Sequence, residues 1–97
     1  MDYKKFLELT KNANPSTDLK GIYLALWYAK KDDWDMAHNI TQDIHTETAS
    51  WVHAYLHRVE GDTSNANYWY SRARKDPFSG TFNSELDKII KTIFTSK

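Results

Sequence analysis

The sequence predicts a single all-α domain of six helices: two repeated helical hairpins stacked on each other, with a capping helix at each end. Three observations carry this prediction. Leu24 to Ile44 and His53 to Ala73 share a skeleton at one constant offset, which lays Ala25 on Ala54, Asp33 on Asp62, Ala37 on Ala66 and Ile40 on Trp69. An echo of this kind is the mark of a helix-turn-helix unit used twice. Apolar residues recur at helical spacing in every segment between breakers. No β-hairpin signal, low-complexity tract or interdomain linker interrupts them.

Each element has its own justification. Asp2 caps a first helix over about 2–12, with Tyr3, Phe6 and Leu7 on one stripe and a breaker at Asn12-Ala13-Asn14-Pro15. Ser16, Thr17 and Asp18 offer caps for a second helix over about 18–31, with Leu19, Ile22, Tyr23, Leu26 and Ala29 at helical spacing on one face. Asp33 caps the third, in which Trp34, Met36, Ala37, Ile40 and Ile44 share a face. The connection at Asp32-Asp33 is so short that helices two and three must run antiparallel, giving a hairpin over about 18–46. A second hairpin covers about 48–75, with Gly61 as the left-handed residue after one helix and Asp62 as the cap of the next. Asp76-Pro77 ends it. The last helix, about 84–96, carries Leu86, Ile89, Ile90, Ile93 and Phe94 on one side and Glu85, Asp87, Lys88, Lys91 and Thr92 on the other. One-sided amphipathicity suits a cap that shields the end of a helical stack.

Composition narrows the function classes. Ninety-seven residues make one domain, and 40% hydrophobic with 27% charged residues sets the chain apart from disordered sequences. Thirteen basic side chains balance 13 acidic ones, so no global field draws nucleic acid or anionic lipid. With no cysteine, disulfides, thiolate nucleophiles and cysteine-ligated metal sites are excluded. The polar start Met1-Asp2-Tyr3-Lys4-Lys5-Phe6 lacks the apolar core of a signal peptide, and no apolar run is long enough to span a membrane. A soluble cytoplasmic protein is the expectation.

The second unit, with Ala54, Gly61-Asp62, Ala66, Trp69-Tyr70, Ala73 and Pro77 at their spacings, resembles a tetratricopeptide or Sel1-like repeat. The first unit keeps Ala25, Asp32-Asp33 and Ala37, puts Thr41 and Ile44 where the aromatic and second alanine belong, and lacks the closing proline. The resemblance spans Ile22 to Pro77. The string Trp51-Val52-His53-Ala54-Tyr55-Leu56-His57-Arg58, with Glu60-Gly61-Asp62 and Tyr68-Trp69-Tyr70, is also similar to small uncharacterised bacterial proteins, a likeness that implies no activity. The repeat resemblance implies a right-handed stack. It also implies that the first helix of each hairpin lines a concave surface that binds a protein or peptide without catalysis.

Trp51, Tyr55 and Arg58 lie three to four residues apart on one face of the fourth helix and are residue types enriched in binding hot spots. They are the expected partner contacts. Trp51 and Tyr55 suit equally a role as core anchors, which leaves Arg58 as the member expected at the surface. Inter-repeat surface left uncovered by short end helices makes a homodimer a further expected partner arrangement. Trp34 and Trp69 are expected in the core.

His53, His57 and Glu60 fall at i, i+4 and i+7, which stacks three metal-binding or proton-transferring groups along one side of a helix. His38, His45 or Asp62 could add a ligand, zinc being the metal such a set would take. The pair lacks the intervening glutamate of the zinc-peptidase motif, and at repeat positions of Leu24 and Tyr28 the two histidines also fit as hydrogen-bonded packing residues. No Gly-x-Ser-x-Gly elbow or glycine-rich phosphate loop is present, and Tyr68, Trp69 and Tyr70 point about 100° apart on a helix, which does not make a base-stacking platform. The expected function is protein or peptide recognition; the alternative is a small enzyme or metal- or ligand-binding protein built on His53, His57 and Glu60.

Overall fold

The computed structural model describes residues 1–95, and every regular element among them is a helix: α1 (Tyr3–Leu9), α2 (Ile22–Lys30), α3 (Trp34–Thr41), α4 (Glu47–Val59), α5 (Thr63–Arg72) and α6 (Phe82–Thr95). Residue 96, placed by the sequence in the last helix, lies outside the described residues. None of the helices is long and apolar enough to cross a membrane.

The repeat is visible in the backbone. At the end of α2, Asp33 N donates to Tyr28 O at 2.9 Å; at the end of α4, Asp62 N donates to His57 O at 2.9 Å. Each closing residue sits after a left-handed one, Asp32 (φ 62°) in the first turn and Gly61 (φ 87°) in the second. Asp33 (φ −93°, ψ 81°) and Asp62 (φ −93°, ψ 80°) then cap the following helices, their carboxylates accepting from Met36 N and Asn65 N at 3.2 Å. A left-handed residue satisfies the last carbonyls of one helix, and the next carboxylate satisfies the first amides of its neighbour. Ala25, Ala54, Ala37 and Ala66 are buried between the packed helices, small enough to let them approach.

Several boundaries differ from the sequence reading. Helix α2 begins at Ile22 rather than near Asp18, because Gly21 at φ 58° cannot continue a right-handed helix. Leu19 still reaches the core, from the turn ahead of the helix. Helix α3 ends at Thr41, whose hydroxyl bonds back to Ala37 O at 2.7 Å, so Ile44 lies in the connection. Helix α1 stops at Leu9 and is tied to α2 by Trp27 Nε1 donating to Leu9 O at 2.9 Å.

Within the stack, α2 packs on α3 and α4 on α5, while α3 and α2 both touch α4 and so join the hairpins. The terminal helices meet each other. Helix α6 runs against α1, α2 and α4, burying Glu85, Leu86, Ile89 and Ile90, and the Tyr3 hydroxyl donates to Asp87. Phe94 closes the same seam against Phe6 and Tyr23, each with ring centroids 5.4 Å away. The side of α2 and α4 that the repeat resemblance leaves open to a partner is therefore covered by the chain's own C-terminal helix.

Candidate metal centre

Helix α4 carries His53 and His57 one turn apart on the side facing α3 and α5, where their rings lie nearly parallel, 4.8 Å between centroids. Both are buried, at 5% and 6% exposure. Helix α3 brings His38 to them: its Nε2 is 3.1 Å from His53 Nε2. Donor atoms from His38, His53 and His57 all fall within 4.8 Å of one another. His38 belongs to the first hairpin and the other two to the second, so the cluster bridges the seam between repeats.

Two tryptophans and a carboxylate fix the imidazoles. Trp34 stacks on His38 (4.7 Å, 8°) one turn earlier on α3, and its Nε1 donates to Leu56 O at 2.6 Å. Trp69 of α5 stacks on His53 (3.9 Å, 11°), which leaves that ring sandwiched between an indole and His57. Glu60 Oε1 lies 2.5 Å from His57 Nδ1. A carboxylate on one ring nitrogen sets the tautomer and leaves the other nitrogen, Nε2, with its lone pair free for a ligand role.

The electrostatics favour the neutral form of His53 and His38. Burial, reinforced by the neighbouring His38 and His57, pushes the pKa of His53 down to about 4. Burial and then His57 lower that of His38 as well. Neutral imidazoles are the form that binds metals.

One edge of the cluster is close to metal-ligand geometry, and all three ligand atoms lie within 4.8 Å of one another. Zinc bonds imidazole nitrogen at about 2.0–2.1 Å in a tetrahedron, which places ligand nitrogens about 3.3–3.4 Å apart. The 3.1 Å between His38 and His53 is within a small side-chain adjustment of that edge. The sequence-derived trio of His53, His57 and Glu60 does not form one group: His53 lies with His38 and His57, and Glu60 with His57 and Asp62. His45 stands outside the cluster, on the rim of a recess of about 240 Å³ that reaches His53, Trp69 and Arg72. Asp62 lies near His57 and Glu60 and is committed to capping α5.

The residues expected to meet a partner are elsewhere. Trp51 and Tyr55 are buried, at 5% and 6% exposure, and burial, with Asp32 and Glu85 adding, pushes the Tyr55 hydroxyl up to about 12. Trp51 Nε1 donates to Glu85 Oε2 at 3.1 Å. Arg58, expected at the surface, has a side chain only 17% exposed, faces Glu85 at 3.6 Å and donates to Gly80 O. Trp51 and Tyr55 are held in the packed interior and Arg58 is half-buried, with Trp51 and Arg58 directly against α6. The sequence reading missed the tryptophan stacking. The i, i+4 pairing of Trp34 with His38 was legible on α3, whereas Trp69 on His53 depends on how α5 docks.

Comparison of the chain with protein-family models, with curated proteins and with solved structures finds no match.

Proposed function

We propose that this protein binds a divalent transition metal, zinc in the first instance, through His38, His53 and His57. The carrying observation is the 3.1 Å approach of His38 Nε2 to His53 Nε2 from different hairpins, beside a third histidine whose Nδ1 is engaged by Glu60. Imidazole suits zinc, copper and nickel, and a three-histidine set leaves one coordination position for water or a small ligand. Because its ligands come from both repeats, the ion would staple two hairpins that are together fewer than a repeat stack normally needs.

Calorimetric titration of the full chain with zinc tests this: one ion per chain is expected, with affinity falling steeply on acidification as protons compete for the imidazoles. An unchanged heat trace at neutral pH would refute it. Protein recognition by α2 and α4 requires α6 to leave its seat.

A further inference from the structure

Helix α6 is joined to the rest of the chain by an irregular segment, 73–81, and its backbone runs beside α1, α2 and α4 instead of α5, which precedes it. Its anchor is Glu85, which is fully buried. One carboxylate oxygen accepts from Trp51 Nε1 at 3.1 Å and from the Tyr70 hydroxyl at 2.5 Å. The other faces Arg58 Nη1 at 3.6 Å, with neither atom hydrogen-bonded. Helices α4 and α5 thus form a socket for a carboxylate. Beside it, the apolar face of α2 and α4 accommodates a helix with Leu, Ile and Ile at the positions of Leu86, Ile89 and Ile90.

We propose that this socket and face form a receptor for an amphipathic helix with a buried carboxylate, and that its occupant in trans is α6 of a second copy, exchanged reciprocally. Every copy carries a helix of matching register, and the exchanged dimer makes the contacts of the monomer at no new interface. Nine tether residues reach about 30 Å when extended, comparable to a molecule of 34 × 28 × 25 Å. The α6 attached in cis competes at an effective concentration in the millimolar range, so exchange is expected when chains fold together at high concentration.

Two full-length variants separate this from other modes of association. Arg58→Glu spoils the socket and leaves α6 intact; Glu85→Arg spoils α6 and leaves the socket intact. Each alone is expected to lose helicity and cooperative unfolding. Refolded together, they restore at least one native seat per heterodimer: sedimentation then gives a species of twice the 11.4 kDa chain mass, with helicity recovered. A mixture that behaves as the average of its parts overturns the proposal. If either variant folds well alone, the wild-type chain decides: refolding at about 1 mM should yield a slowly dissociating dimer. Monomer only, or a rapid dimer that forms without refolding, contradicts it.

Discussion

His38 Nε2 lies 3.1 Å from His53 Nε2, across the seam between the two helical hairpins. Either one imidazole donates a hydrogen bond to the other or a metal ion joins them; in both cases the contact reports directly on how the repeats are docked. Replacing His38 with Ala should lower zinc affinity by more than the about 10–100-fold expected for Glu60→Gln, which removes only an orienting partner. Competition titration with a coloured chelator measures both. Equal affinity in wild type and His38→Ala would remove α3 from the site.

The metal-free protein should lose stability in mild acid. His53 is held near pKa 4, below its unfolded value of about 6.5, so the unfolded chain takes up the proton first and stability falls as pH drops through that window. The lowered pKa of His38 acts in the same direction. The His53 contribution is of the order of 1–3 kcal/mol. Urea midpoints at pH 7 and pH 4.5 check it, and His53→Gln should flatten the dependence.

Asp32 and Gly61 occupy equivalent left-handed positions, and only one is a glycine. Asp32→Gly should raise stability by about 0.5–1 kcal/mol by relieving the backbone, and Gly61→Ala should lower it by about 1 kcal/mol. A Cβ at Gly61 meets nothing within 4 Å, so that loss comes from conformation and not from a clash. Asp33→Ala and Asp62→Ala should each lose about 1 kcal/mol of capping. Thermal unfolding of the four variants measures the set.

Glu85→Ala leaves Arg58 facing a site with no charge and deprives Trp51 and Tyr70 of their acceptor. A loss of about 3–5 kcal/mol is expected, enough to unfold a small domain. Arg58→Ala should be destabilising for the reciprocal reason. A surface contact residue would leave the unfolding midpoint unchanged.

The hairpins were legible because short turns between amphipathic segments admit few geometries, and Asp33, Gly61 and Asp62 have specific turn and capping roles. The His53–His57 pair was legible for the same local reason, a fixed spacing on one helix. What local sequence cannot specify is docking. The stripe from Leu86 to Phe94 requires a cover but does not say which face supplies it, so Trp51, Tyr55 and Arg58 read as an open groove when α6 closes that side. His38 joins the histidines through the α3–α4 packing, which no periodicity within α3 encodes. The start of α2 shifted because Gly21 takes a left-handed conformation that its neighbours do not announce.

Histidine-resolved NMR of the full chain at pH 7, recorded during a zinc titration, decides whether the three histidines hold a metal ion. The ring signals of His38, His53 and His57 are expected to move together and saturate at one zinc per chain, while those of His45 stay in place. Signals that remain unperturbed at equimolar zinc, or a response led by His45, would contradict it.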